Sequence, residues 1–196
     1  MVRRTKTAKG QKKKIKKLFK VIAPSAFGKK EVCEIRGSEK DVINRIIRIP
    51  LNELDNTASD QLSLYTSVKL RVVEQGKDDV KTEFAGHEVA MSYLRTLTRK
   101  GRSVIHEVIN VKTKDGKEMI LKFLVVTVKK VSKIVKKNLR KELIKLALDY
   151  AANNNFDDLV KNMINGSLSK EIGKELNKIN PIMHLLVKKS EYKVLV

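Results

Sequence analysis

Apolar and polar residues alternate with a period of two over much of the region between residues 30 and 86, and this alternation predicts strands. The clearest example is "LSLYTSVKLRVV" at 62–73, where leucine, valine and threonine alternate with serine, tyrosine, lysine and arginine. Such a pattern is typical of a strand with one buried face. The polar break "EQGKDD" predicts a turn back into "VKTEF", and "DVINRIIRI" is another β-branched run. The intervening "PLNELDNTASD" predicts a loop or a short helical turn.

The stretch "VKTKDG" predicts a hairpin. Asp115 and Gly116 lie between two extended runs, 104–113 and 118–128. Asp-Gly is typical of a two-residue type I′ turn, in which both central residues have positive φ. Both faces of the second run are apolar from 120 to 128, apart from Lys122. We therefore expect this run to be a strand that is covered on both sides.

Apolar residues recur at spacings of three and four in two regions, which predicts helices. "HEVAMSYLRTLTRKG" predicts a helix over 88–100 that ends at Gly101. Beyond residue 130, "NLRKELIKLALDYAANNN" predicts a longer helix, and "FDDLVKNMING" and "LSKEIGKELNKI" predict two shorter amphipathic helices before Pro181. The segment 182–190 is expected to finish the chain as a strand. The apolar stripe of the longer helix comprises Leu139, Leu143, Leu146, Ala147 and Tyr150.

These patterns predict one α+β domain over residues 21–196, which is β-rich over 30–130, helical over 131–180 and ends in the strand at 182–190. Residues 1–20 form a separate basic segment, because the first acidic residue of the chain is Glu31. Like charges at this density repel one another, so we expect a disordered arm that becomes ordered only against phosphate. Its last part is expected to dock on the domain through Ile15, Leu18 and Phe19.

The charge of the chain points to a polyanionic partner. Lys and Arg number 43 against 22 Asp and Glu, which gives a formal net charge of +21, and nucleic acid is the leading candidate. A second basic segment, 129–145, contains Glu142 as its only acid, whereas the lysines of 170–178 alternate with glutamates and are typical of a solvated helix face. The residues predicted to bind RNA are Arg3, Arg4, Lys6, Lys9, Lys12, Lys13, Lys14, Lys16, Lys17, Lys129, Lys130, Lys133, Lys136, Lys137 and Arg140.

The sequence contains no recognisable catalytic, metal or cofactor site. Both glycine-rich phosphate-loop patterns are absent, the three histidines have no ligand spacing, and Cys33 is the single cysteine. Histidine in the core or at the surface, and Cys33 as a small apolar residue, are the favoured interpretations. No stretch reaches the roughly 18 consecutive apolar residues of a membrane span. We therefore expect no enzyme, no cofactor, no metal and no membrane partner. A localisation signal or an anionic-membrane anchor remains the rival interpretation of the arm, without a lipidation motif to support it.

The aromatic residues indicate how RNA would be bound. The chain has no Trp, five Phe and four Tyr, and most of them lie within apolar patterns that predict core positions. The "[KR]GFGFV"-like run of a base-stacking RNA-recognition sheet is absent. The sequence therefore predicts binding to phosphates and to the shape of folded RNA, with little reading of bases.

Five motifs occur in an order that resembles a known ribosomal family. They are "VIAPSAFG", "FAGHEVAMSYLRTLTRKGRSVIH", "VINVKTKDG", "VTVKK" and "EIGKELNKINPIMHLLVKK". Together, over about residues 20–190, they resemble the archaeal and eukaryotic small-subunit ribosomal proteins of the S-three-a family, also called S-one-e. The sequence ends with "VKKSEYKVLV", and from this resemblance we expect the shorter archaeal form.

The resemblance implies an α+β fold with a β-barrel-like antiparallel sheet core, flanking helices and no catalytic role. It also implies a cytoplasmic place on the platform of the small ribosomal subunit, with small-subunit rRNA, neighbouring platform proteins and mRNA near its exit as partners. No homo-oligomer is expected. A free nucleic-acid-binding protein or RNA chaperone is the alternative, and it predicts similar affinity for duplex DNA and for rRNA.

Overall fold

The computed structural model of the chain describes residues 17–54 and 61–193. Its strands are β1 (Lys17–Ile22), β2 (Glu31–Gly37), β3 (Ile46–Pro50), β4 (Thr66–Gln75), β5 (Asp79–Val89), β6 (Val104–Lys112), β7 (Glu118–Thr127) and β8 (Ile182–Lys193). Its helices are α1 (Glu39–Val42), α2 (Leu51–Leu54), α3 (Gln61–Leu64), α4 (Met91–Leu97), α5 (Lys133–Asn153), α6 (Phe156–Ile164) and α7 (Ser167–Asn177). The α+β class predicted from the sequence is confirmed.

One mixed sheet of eight strands branches at β5. One edge of β5 pairs with β4, and β3 follows on the far side of β4. The other edge is shared, because 79–81 pair with β1 in parallel and 86–88 pair with β8 in antiparallel orientation. From β8 the sheet continues through β7 to β6. The expected antiparallel, barrel-like core is corrected in two respects: the β1–β5 pair is parallel, and the branched sheet does not close in the part of the chain that is described.

The core explains why β7 is apolar on both faces. One face contributes Phe123 and Val125 to a cluster with Leu139 and Leu143 of α5. The opposite face contributes Leu124 to a second cluster that includes Leu94 and Leu97 of α4. Every residue of β7 from 123 to 127 is buried. The predicted strand with two covered sides is therefore confirmed.

The predicted hairpin is confirmed, but its turn type was wrong. Gly116 has φ of 76°, whereas Asp115 is not among the residues with positive φ. The Gly116 N–H donates to the carbonyl of Thr113 at 2.9 Å, and the Thr113 N–H donates to the carbonyl of Lys117 at 3.0 Å. This is a type I turn followed by one left-handed glycine, the geometry of a three-residue hairpin loop.

Several element boundaries differ from the sequence-based expectation. The helix predicted over 88–100 spans only Met91–Leu97. It begins late because 87–89 still pair with β4, and 87–88 also pair with β8. Leu62 and Leu64 belong to α3 and not to the strand, which begins at Thr66. β8 extends beyond the predicted 190 to Lys193. In each case pairing or packing between distant segments decides where the element ends, and the local pattern does not contain that information.

The predicted boundary of the basic arm at residue 20 falls inside a strand. β1 begins at Lys17 and pairs with both β2 and β5. Phe19 and Val21 are fully buried in a small cluster with Ile35 of β2, whereas Leu18 is 62% exposed. Residues 1–16, which carry most of the predicted arm, lie outside the described residues.

Candidate nucleic-acid interface

Two stretches of the chain that contain no Asp or Glu, 89–106 and 119–141, meet in the fold. The first contains α4 and the start of β6, and the second contains β7 and the start of α5. Val104 pairs with Val126 in the β6–β7 ladder, so the beginning of one strand lies beside the end of the other. The backbone next to Arg102 is therefore brought beside the backbone that carries Lys129 and Lys130.

Ser103 and Thr127, both buried, fix the backbone where these stretches meet. The Ser103 N–H donates to Thr127 Oγ1 at 3.1 Å, and the Thr127 N–H donates to the Ser103 carbonyl at 3.0 Å. Ser103 Oγ accepts the Val131 N–H at 3.1 Å, and Thr127 Oγ1 donates to the Lys129 carbonyl at 2.7 Å. The backbone that carries Lys129 and Lys130 is thus ordered before any partner binds, which lowers the entropic cost of binding.

Helix α5 begins with positive charge at its own positive end. Ser132 caps the helix by accepting the Val135 N–H, and the first turn contains no acidic residue. Cations near a helix N-terminus are unfavourable, because they face the positive end of the helix dipole. An anion there would be attracted by the free N–H groups and by the side chains together. The cations of this region, here called the lysine segment, are Lys129, Lys130, Lys133, Lys136 and Lys137.

The structure brings part of the predicted RNA-binding set together. All members of the lysine segment are exposed except Lys136, which is half-buried, and none makes an ion pair within the described ranges 17–54 and 61–193. Arg140 differs, because its Nε lies 3.3 Å from Oε2 of Glu107 on β6. The expectation that these cations had only Glu142 near them was therefore wrong for Arg140. Lys17 is exposed on β1, on another branch of the sheet, and the predicted residues from Arg3 to Lys16 lie outside the described part.

Four cations of the first stretch are absent from the set of residues predicted to bind RNA. Within the described part of the chain none of them makes an ion pair. The acids that flank the stretch in the sequence pair with other cations, Glu88 with Lys69 and Glu107 with Arg140. The available signal was the absence of acids from 89 to 106. These residues, here called the basic loop, are Arg95, Arg99, Lys100 and Arg102.

His87 is a core residue, which is one of the two interpretations expected for the histidines. Its Nε2–H donates to the Val187 carbonyl at 2.9 Å, and its Nδ1 accepts the hydroxyl of Ser190 at 2.7 Å. The tautomer follows from the partners, because a carbonyl oxygen only accepts. Burial lowers the pKa of His87 to about 4, so the ring is neutral at physiological pH.

The other candidate sites carry little chemistry. Burial lowers the pKa values of His106 and His184. The positive charge of Lys188 lowers the pKa of His106 further, and that of Arg102 does the same for His184.

The ranges 17–54 and 61–193 contain no group of three or more His, Cys, Asp or Glu side chains that could hold a metal ion. Over the same ranges, no helix is long and apolar enough to cross a membrane. A cleft of about 940 Å³ between α7, β8 and the end of β5 is lined in part by His87, whose two ring nitrogens are already hydrogen-bonded.

Comparison with known proteins gives a consistent set of relatives. The sequence model of the Ribosomal S3Ae family matches residues 4–194. The small ribosomal subunit protein eS1 of Sulfurisphaera tokodaii is 30% identical over 95% of this chain and 96% of its own length. The protein of the same name from Saccharolobus islandicus is 32% identical over 91% of this chain and 85% of its own. That of Archaeoglobus fulgidus is 30% identical over 97% and 91%.

Proposed function

The chain belongs to the Ribosomal S3Ae family, and from this premise we propose that it is a structural protein of the small ribosomal subunit, held on rRNA by its basic segments. It is not an enzyme, since the relatives that it matches over most of their length are structural ribosomal proteins. The observation that carries the proposal is the family match over residues 4–194. Its place in the cell is then the small subunit in the cytoplasm.

The surface charges support contact with folded RNA. The lysine segment and the basic loop together supply nine cations that no described acid neutralises, and each phosphate contact formed there releases counterions into solution. Because the junction between Ser103 and Thr127 already fixes the backbone, these cations are presented without a large loss of backbone freedom. The proposed contacts are therefore with phosphates and with RNA shape.

The remaining expectations belong to the same proposal. We place the protein on the platform near the mRNA exit, beside other platform proteins and within reach of mRNA, as its resemblance to the family implies. The basic arm would run between rRNA helices, where its charge offsets repulsion between neighbouring phosphates. A β-barrel-like arrangement would require contacts beyond those of the branched sheet, and the proposal does not depend on it.

Sedimentation of a cell extract on a sucrose gradient tests the assignment. A tagged full-length chain should sediment with small subunits and remain with them after a high-salt wash, because an integrated protein is held by many contacts at once. A variant with glutamine at Lys129, Lys130 and Lys133 should be lost at lower salt than the unsubstituted chain. Recovery of the unsubstituted chain at the top of a low-salt gradient, with equal affinity for duplex DNA and rRNA, would instead identify a free nucleic-acid-binding protein.

A further inference from the structure

Two tyrosines form an exposed stack beside the basic loop. The ring centroids of Tyr65 and Tyr93 are 5.0 Å apart and their planes differ by 20°. One face of the Tyr65 ring is therefore covered, yet 44% of this residue is still exposed to solvent. The backbone is fixed, because the Ala90 N–H donates to the Tyr65 carbonyl at 2.8 Å. Tyr65 departs from the expectation that the aromatic residues are mostly core residues.

Two large apolar side chains close to the tyrosines in the sequence are also exposed. Leu64, which precedes Tyr65, is 65% exposed, and Met91, at the start of α4, is 63% exposed. Large apolar side chains that cluster with an aromatic ring at a surface mark a site of interaction. Tyr93 contributes its remaining surface to the apolar cluster of Leu94 and Leu97 and so anchors the stack to the core.

The basic loop begins on the same helix. Arg95 follows Met91 by one turn of α4, and Arg99, Lys100 and Arg102 follow the end of the helix. Seven helical residues span about 10 Å, so the stack and the cations lie within the length of a few nucleotides. A stacking platform beside a basic surface is the combination that proteins use for unpaired strands. A double-stranded RNA keeps its bases in its own stack and offers none to a side chain.

We propose that the Tyr65–Tyr93 stack and the basic loop bind an unpaired segment of RNA, with one base stacked on Tyr65 and adjacent phosphates on the basic loop. The inference rests on the proposed function and deepens it, because it names the class of RNA at one surface. An unpaired strand fits better than a protein, since four cations that pair with no acid in the described part of the chain would be left uncompensated beneath a neutral protein surface. Phosphates supply the missing negative charge.

The test compares two RNA probes with the full-length chain. Fluorescence anisotropy measures binding of a labelled oligouridine, which has little structure of its own, and of a labelled blunt RNA duplex. Tyr65→Leu removes the ring and keeps an apolar side chain, so it should weaken oligouridine binding by about tenfold. Duplex binding should change by less than about twofold, because the lysine segment remains intact. Tyr65→Phe keeps the ring and should retain the affinity for both probes.

The outcomes separate this inference from the proposed function. Equal weakening for both probes would mean that Tyr65 supports only the fold, and no weakening for either would mean that no base stacks there; each result overturns the inference. In assembled small subunits, ultraviolet irradiation should leave a nucleotide adduct on Tyr65 or Tyr93. Crosslinks from Lys100 to another protein, with no adduct on either tyrosine, would identify a protein partner and also overturn it. Sedimentation of the unsubstituted chain with small subunits is unaffected by any of these results.

Discussion

Asp115, at the tip of the β6–β7 hairpin, accepts a hydrogen bond from the backbone N–H of Phe156 at 2.8 Å. Phe156 is the first residue of α6, and the residue that precedes it, Asn155, makes no side-chain capping bond. The adjacent Lys114 N–H donates to the Asn154 carbonyl at 3.1 Å. The turn therefore caps a helix that lies 41 residues away in the sequence and holds the α5–α6 junction against the sheet.

Replacing this carboxylate should destabilise the whole domain. Asp115→Ala leaves an N–H of the first turn of α6 without its acceptor, so we expect a loss of about 1 kcal/mol in the free energy of unfolding. Urea denaturation followed by circular dichroism measures it. Asp115→Asn retains an acceptor oxygen and should lose less. Identical denaturation midpoints for Asp115→Ala and the unsubstituted chain would show that the bond contributes nothing to stability.

The buried His87 should make the fold sensitive to mild acid. Its pKa in the folded protein is lowered to about 4 by burial, whereas in the unfolded chain it is about 6.5. The unfolded state therefore binds more protons between these values, and stability falls as the pH falls from 6.5 towards 4. Protonation of His87 in the unfolded chain should lower the free energy of unfolding by about 2 kcal/mol at pH 5 relative to neutral pH.

Urea midpoints recorded at several pH values test this dependence. His87→Gln should be less stable at pH 7, because it disturbs the bonds to Val187 and Ser190, but its stability should vary less between pH 6.5 and 5. The carboxylates with lowered pKa, such as those of Glu88 and Glu191, titrate at lower pH and are shared by both proteins. Parallel curves for the two proteins would contradict the assignment to His87.

Gly86 allows β5 and β8 to approach each other closely. It has φ of 154°, and a Cβ atom built on it would lie 2.2 Å from the carbonyl oxygen of Ser190. Backbone atoms cannot move aside cheaply, so Gly86→Ala should cost at least about 2 kcal/mol and separate the two strands. Gly173→Ala is the matched control, because the nearest atom to its added Cβ is the end of the Leu185 side chain at 3.9 Å.

In the interior of α7 the control substitution should leave stability unchanged or raise it by up to about 1 kcal/mol. Thermal unfolding of both variants, expressed and purified in parallel, measures the difference. An equal melting temperature for Gly86→Ala and the unsubstituted chain would mean that the sheet accommodates a side chain at this crossing point.

The elements that the sequence predicted well are those with a strong local signal. The hairpin is recognisable from Asp115-Gly116 between two apolar runs, and α5 from the spacing of Leu139 and Leu143. The turn type was missed because the contacts of Asp115 with α6 are not local. The start of α4 was predicted wrongly because 87–89 fit a helical pattern in the sequence. In the fold these residues belong to β5, where 87–89 pair with β4 and 87–88 pair with β8. The parallel contact between β1 and β5 joins segments about 60 residues apart, and no local pattern contains it.

The candidate site shows the same division. The lysine segment was predictable, because charge without nearby acids is visible in the sequence. The pairing of Arg140 with Glu107 was not, since it depends on the packing of α5 against β6. The basic loop had a signal of the same kind as the lysine segment, but it was interpreted only as the end of a helix. The stack of Tyr65 on Tyr93 depends on where β4 begins relative to α4, and that boundary follows from sheet pairing.

The lysine segment should set the salt dependence of RNA binding. If Lys129, Lys130 and Lys133 each contact a phosphate, glutamine at all three should lower the slope of log affinity against log salt by about 2 to 3, at 0.7 to 0.9 per contact. The matched control places glutamine at Lys170, Lys174 and Lys178 of α7 and its end, where Glu171 and Glu175 lie nearby and Lys178 pairs with Glu175 at 2.6 Å. Both variants lose three positive charges, so a difference between their slopes must come from where on the surface the lysines lie.

The two slopes therefore decide whether a local surface or the overall charge governs binding. Anisotropy titrations of a small-subunit rRNA fragment over a series of salt concentrations measure both. We expect the control to retain nearly the full slope, because Lys178 is already paired with Glu175 and two glutamates on the same helix reduce the local positive charge. Equal reductions in the two variants would show that the net charge of +21 governs binding as a whole. The lysine segment would then not be a specific RNA interface.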